Sequence, residues 1–248
     1  MTVYPSITIT GMLFALVAVG VSLLGLILLG LAGPVYRLGV PLQTAFTVLR
    51  WAGYVGLAGA ATGLLAFLWA RWRGKRLGSA FALIALVIGL ITAGIPYQWQ
   101  QRAQRMPPIH DITTDLDNPP QFQAIVPLRA DAPNSLERGP ELAALQRDGY
   151  PDLAPVTLTQ PLNEAFTRAL AVAQDKGWEI VSGDQAAGRI EATDTTRWFG
   201  FEDDVVVRLT PWGAGTRVDV RSVSRIGRSD VGTNARRIEE FLDALEAR

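Results

Sequence analysis

The sequence predicts a transmembrane region of three helices followed by an α+β domain, an antiparallel sheet with two helices on one face. Three observations predict it. Acidic residues are absent from the first 109 positions, so all 23 Asp and Glu fall in the remaining 139. That acid-free part contains three uncharged apolar runs of about 20 residues, the length that crosses a bilayer core. From residue 156 onward the apolar spacing switches between helical and alternating periods, in the order strand, helix, four strands, helix.

The formal net charge of zero hides two opposite bodies. Eight Lys and Arg give the first 109 residues +8, and fifteen against 23 acids give the rest −8. Zero cysteines exclude disulfides, a thiolate nucleophile and Cys-ligated metals, and a single His removes most His-based metal sites, so neither metal nor cofactor is expected. Nucleic acid is not expected as a partner either, since the acidic domain has no basic stripe with interleaved aromatics. Basic residues are Arg except at Lys75 and Lys176, a composition typical of a GC-rich bacterial genome.

The first element, 1–100, is the membrane region, with spans at about 9–31, 51–70 and 77–97. Arg50 and Arg71 bracket the second span, and Trp51, Trp69, Trp72 and Trp99 lie at span ends, where an indole buries its ring and keeps its N–H wet. The short loop Arg71, Trp72, Arg73, Gly74, Lys75, Arg76 holds four positive charges in six residues, whereas the preceding loop has only Arg37 and Arg50 over a longer stretch. Positive loops stay inside, so the amino terminus is expected in the cytoplasm and everything after Tyr97 outside it, in a bacterial inner membrane. No ionisable group lies within the spans, which favours anchoring over transport. Gly53, Gly56, Gly59 and Gly63 suggest close helix packing, within one chain or between two copies; the oligomeric state stays open.

Next, 101–155 reads as a proline-rich strap packed on the domain. Ten of the fifteen prolines fall between 107 and 161, which forbids long regular elements. Ile109, Ile112, Phe122, Ile125, Val126 and Leu128 are too many apolar residues for a free linker. One short strand is expected at 121–126 and one short helix at 141–147.

The domain follows at 156–248. A first strand is expected at 156–159. Pro161 opens a helix with Phe166, Ala169, Leu170 and Ala173 on one face, closed by Gly177. Strands follow at 178–181, 189–193, 205–209 and 217–223, and Gly213 to Gly215 mark a hairpin between the last two. Asp230 would cap a final helix with Ile238, Phe241, Leu242 and Leu245 on one stripe. A helix-grip or TBP-like sheet fits this order. Its other face would carry Arg189, Glu191, Asp204, Arg208, Arg217, Asp219 and Arg221 as a solvated, salt-bridged surface.

Six blocks in order carry a resemblance. They are Ile109-His110-Asp111-Ile112-Thr113-Thr114-Asp115 with Pro119-Pro120-Gln121-Phe122; Gly149-Tyr150-Pro151; Gly188-Arg189-Ile190-Glu191-Ala192-Thr193; Asp203-Asp204-Val205-Val206-Val207-Arg208; and the run from Arg221-Ser222-Val223-Ser224-Arg225 through Asp230-Val231-Gly232-Thr233-Asn234 to Arg237-Ile238. Over residues 107–247 the chain closely resembles the "domain of unknown function fourteen ninety-nine" family. The resemblance implies membrane-attached bacterial proteins with plastid relatives and brings no activity with it.

Two polar clusters are candidate sites. In the first, Arg221, Ser222, Ser224 and Arg225 end a strand, and Asp230, Asn234 and Arg237 begin the last helix, with Glu191, Asp203 and Asp204 as carboxylates nearby. Arg and a helix N-terminus both favour an anion, yet Asp230 can supply that charge itself, and Arg221 or Arg225 can pair with Asp203, Asp204 or Asp230 as structural ties. The second cluster is His110, Asp111 and Asp115, whose Asx and Thr turns would hold the strap. Both composition and motifs favour a non-enzymatic domain in the cell envelope that binds a protein, lipid or cell-wall partner, with the bilayer holding its anchor. The alternative is an enzyme in which Glu191, Asp203 or Asp204 is acid or base and Arg221 or Arg225 holds an anionic substrate.

Overall fold

The computed structural model describes residues 6–247, with side chains from residue 12 onward. It divides into two compact units, Met1–Arg102 and Ala103–Arg248.

The first unit is helical, with α1 at Ser6–Arg37, α2 at Leu42–Trp72 and α3 at Arg76–Arg105. All three are long and apolar enough to cross a membrane. The chain is therefore a membrane protein. The helices overrun the expected spans at their ends, because bilayer thickness limits the apolar run while backbone pairing continues beyond it. The first loop shrinks to residues 38–41, and Arg50 lies inside α2. Leu13, Leu57 and Leu65 point outward at 59% exposure each, as lipid-facing side chains do.

Glycines bring these helices together. A Cβ on Gly56 would fall 2.9 Å from the Ala93 N, one on Gly63 2.7 Å from the Leu86 N, and one on Gly59 against Ser22. The GxxxG spacing is thus consumed within the chain, against α1 and α3. Without a hydrophobic driving force in lipid, such close packing and an interhelical hydrogen bond hold the bundle. Ser22 Oγ donates that bond to the Ala85 carbonyl at 2.8 Å.

The second unit is an α+β domain. Its elements are β1 (Asp111–Thr113), a 3-10 turn (Val126–Arg129), α4 (Pro140–Gly149), β2 (Val156–Leu158), α5 (Leu162–Asp175), β3 (Glu179–Asp184), β4 (Arg189–Thr195), β5 (Glu202–Trp212), β6 (Gly215–Ser224) and α6 (Thr233–Glu246). All pairings are antiparallel, in the order β1-β6-β5-β4-β3, and β2 joins β6 beside β1. From β2 to α6 this is the expected strand, helix, four strands, helix. One edge strand, β1, comes from the proline-rich segment.

Both helices cover one sheet face. Phe166, Ala169, Val172 and Ala173 of α5 and Ile238, Phe241, Leu242 and Leu245 of α6 pack on Ile190, Val205, Val207, Leu209, Val218 and Val220. Trp178 stacks on Phe241 at 5.1 Å between centroids. Gly177, at φ +80°, turns the chain out of α5 where a Cβ would be strained.

Four expectations need correction. No strand forms at 121–126, because Pro119, Pro120 and Pro127 remove donors and the N–H groups of Gln123 and Ile125 point to the Glu191 carboxylate instead. The last helix starts at Thr233, since Val231 (φ +55°) and Gly232 (φ +78°) interrupt the backbone after Asp230. Val126 and Leu128 are half exposed, whereas Ile109, Ile112, Phe122 and Ile125 are buried. Finally, the charged sheet face is not solvated: residues 114–139 lie across it, and Glu191, Asp204, Asp219 and Arg221 are at most 1% exposed.

Candidate functional site

A buried charge must be paired and hydrogen-bonded or it costs several kcal/mol. The covered sheet face meets this demand with four ionic groups, most of which tie the overlying segment to the strands. Glu191 accepts the N–H groups of Gln123 and Ile125 at 2.9 Å and ion-pairs with Arg189 at 3.2 Å. Arg208 and Arg217 both bond Asp115 of the overlying segment at 3.1 Å, and both also reach Asp219. Asp204 binds Arg225 through two bonds of 2.9 Å, and also receives Arg129 and the Thr193 hydroxyl. Arg225 is half-buried. Its guanidinium pKa is raised, chiefly by hydrogen bonding to Asp204, with Glu202 adding to it.

The fourth group is unequal. Asp111 accepts Arg221 Nε at 3.0 Å and Nη2 at 2.8 Å, and also Arg138 Nη1 at 2.9 Å. Two guanidinium groups share one carboxylate, all of them buried. Neutral acceptors help: Arg221 donates to the backbone carbonyls of Leu136 at 2.7 Å and Pro120 at 3.3 Å, and Arg138 donates to the Asp111 carbonyl and to the side-chain Oε1 of Gln146, each at 2.7 Å. Phe122 lays its ring 5.5 Å from the Arg221 guanidinium centre. Burial pushes the Arg138 pKa down; Asp111 works against this and the neighbouring Arg221 adds to it.

On the opposite face a second network joins β6 to α6. Ser222 Oγ donates to Asn234 Oδ1 at 2.7 Å, Asn234 Nδ2 donates to Ser224 Oγ at 2.9 Å, and Arg237 bonds Asp203 at 2.6 Å and Asp194 at 2.8 Å. Burial acts to lower the Arg237 pKa, but Asp203 and Asp194 outweigh it and the net shift is upward. Asp230 accepts the N–H groups of Gly232 at 2.9 Å and Asn234 at 2.8 Å, so it serves the first turn of α6 from outside the helix. Burial raises its pKa, which those two bonds partly offset.

The residues grouped in the sequence therefore separate by strand alternation. Arg221 and Arg225 face the overlying segment, while Ser222 and Ser224 face the helices and meet Asn234 and Arg237 of α6. Asp203 and Asp204 likewise point to opposite faces, so they do not form a carboxylate pair. Of the second cluster, Asp111 and Asp115 are anchors in two different groups. His110 sits at the edge with Nδ1 3.4 Å from the Arg228 carbonyl. Among the described residues, no group of three or more His, Asp or Glu side chains is placed to hold a metal.

A cleft of about 520 Å³ opens above the unequal group. Its wall is built by 116–143, with Leu116, Phe122, Val126 and Leu136 as apolar lining, Arg138 and Arg221 as basic groups, and the exposed Asp117 and Glu137 as acids. The start of α4 at Gly139 and Pro140 completes it. Sequence reasoning did not single out Arg129, Arg138 or Gln146. The usable signal was the presence of these two Arg in an otherwise acidic segment facing a strand face with Asp204 and Asp111.

A comparison with curated proteins finds no match to this chain. A family model does match, over residues 111–245, from the first residue of β1 to the last turn of α6. That stretch contains the sheet, both covering helices, all four ionic groups and the cleft, and it is more than half of the chain, which therefore belongs to the family described as Protein of unknown function (DUF1499).

Proposed function

We propose that this protein is a membrane-anchored binding module of the bacterial cell envelope, displaying its α+β domain outside the cytoplasm and binding a ligand there without transforming it. The observation that carries the reading is the division of labour among its charges. Glu191, Asp203 and Asp204, the carboxylates suited to acid or base work, are held by guanidinium or backbone N–H groups and do not line the cleft. What lines it instead are Arg138 and Arg221, the exposed Asp117 and Glu137, and the apolar Leu116, Phe122, Val126 and Leu136, polar and apolar groups in similar measure that can orient a ligand by charge and contact. The four positive charges between Arg71 and Arg76, followed by one further crossing, support the outward placement.

Two measurements test this. Alkaline phosphatase fused after residue 248 is expected to be active and a fluorescent protein at the same place dark; the reverse pair would contradict display outside the cytoplasm. Asp204→Asn and Arg225→Met are expected to lower the melting temperature and to impair complementation of a deletion strain only as far as they unfold the domain. A variant with native melting and no complementation would point to chemistry at these groups.

A further inference from the structure

The Asp111 group holds two positive charges against one negative, and the hydrogen-bond count shows what is left over. A guanidinium has five N–H donors. Arg221 uses four, two on Asp111 and one each on the Pro120 and Leu136 carbonyls, which leaves one on Nη1. Arg138 uses Nη1 on the Asp111 carboxylate and carbonyl and one Nη2 hydrogen on Gln146, and its buried Nε, like those of Arg129 and Arg189, has no hydrogen-bond partner, so it is the charge count that sets this group apart. The other three groups on this face are closer to balance: Arg189 with Glu191, Arg208 and Arg217 with Asp115 and Asp219, and Arg129 and Arg225 with Asp204 and Glu202. The surplus positive charge lies in the group that lines the cleft.

We propose that this cleft binds a small carboxylate on an apolar body, with the carboxylate docked against Arg138 and Arg221 and the apolar part against Phe122, Leu136 and Val126. This rests on the binding-module reading and names the ligand class of that same site. The ligand's single negative charge makes the buried group two against two. Asp117 and Glu137 at the mouth repel every negative charge a ligand brings, and the group has one surplus positive charge to offset that repulsion, so a monoanion is favoured over a phosphate dianion. A neutral alcohol of the same body leaves the surplus charge uncompensated, and a cation adds to it. A cleft of about 520 Å³ lies within the range of small-molecule sites.

The test uses the full chain in lipid nanodiscs and saturation-transfer NMR titrations with hexanoate, hexanol, hexylammonium and hexyl phosphate, with empty nanodiscs subtracted. Hexanoate is expected to bind at least tenfold more tightly than the other three. Ala143→Trp, which fills the cleft without touching its charges, and Arg138→Met are each expected to weaken hexanoate at least tenfold. Glu137→Gln is expected to strengthen hexyl phosphate several-fold, a gain that misfolding cannot produce. Hexanol or hexylammonium binding as tightly as hexanoate would overturn the proposal, as would hexanoate binding that Ala143→Trp leaves unchanged or no hexanoate binding at all. Those outcomes leave the binding-module reading standing. Turnover of p-nitrophenyl hexanoate, abolished by Ala143→Trp, would instead overturn that reading and this proposal together.

Discussion

Neutralising Asp111 should cost more than removing its second partner, Arg138. The carboxylate is 1% exposed and binds Arg221 in a two-point fork at 3.0 and 2.8 Å and Arg138 at 2.9 Å. Asp111→Asn leaves two buried guanidinium groups facing each other with no counter-charge. Breaking a single buried pair costs about 3–5 kcal/mol, so this change belongs at the upper end. Arg138→Met instead leaves Arg221 and Asp111 as a one-to-one pair, removes the orphaned Nε, and loses three bonds, to the Asp111 carboxylate, the Asp111 carbonyl and Gln146 Oε1. Its cost should be about 1.5–3 kcal/mol, the scale of hydrogen bonds to a charged group. Pulse proteolysis of the full chain across a urea gradient reads both. With a slope of about 2 kcal/mol per molar, Asp111→Asn shifts the midpoint by about 2–2.5 M and Arg138→Met by about 1 M. Equal shifts would refute the reasoning, because they would mean that the surplus positive charge is not felt and that Asp117 and Glu137 already compensate it from the cleft mouth.

Three further outcomes follow from other parts of the molecule. Glu191→Gln removes the charge that receives the Gln123 and Ile125 N–H groups, so it should cost about 2–4 kcal/mol and open residues 121–135 to trypsin while the strands stay protected, as mass mapping of early fragments will show. Gly89→Ala should destabilise the helical unit by about 1–3 kcal/mol in SDS titration, because the new methyl falls against the Ala60 N and the Gly56 carbonyl, whereas Gly94→Ala, with nothing within 4 Å, should be neutral. Asp230 has a folded pKa raised above its ordinary 3.8, mainly by burial, so its contribution favours folding below about pH 4 and is lost as the pH rises through the raised value. Urea midpoints from pH 4 to 7 should therefore show wild type losing stability relative to Asp230→Asn as the pH rises; a gap that widens in favour of wild type would contradict the assignment.

Much of this architecture is legible in the amino-acid sequence. Apolar runs without charges gave the three spans, and period-two alternation in Val205, Val207 and Leu209 located the centre of the sheet. Two kinds of feature were not legible. The strand β1 is three residues long, and its pairing with β6 depends on a partner more than a hundred residues away, which local pattern does not encode. The charged sheet face looked solvated because nothing local distinguishes an exposed ion-pair surface from one covered by another segment. Even so, the covering segment carried its own evidence in Arg129 and Arg138, which pair with Asp204 and Asp111. The polar motif around Arg221 to Asn234 looked like one site because the residues are close in sequence. Strand alternation sends Arg221 and Arg225 to one face and Ser222 and Ser224 to the other.

Amide hydrogen exchange on the full chain in nanodiscs tests most directly whether residues 111–138 are a built-in wall of the domain and its cleft. The N–H groups of Thr113, Thr114, Gln123 and Ile125, which bond Gln146, the Val220 carbonyl and Glu191, should exchange as slowly as those of β5 and β6. Exchange within seconds across 111–138 while β5 and β6 remain protected would contradict it, because a segment that opens independently can neither hold the buried charges nor shape a site.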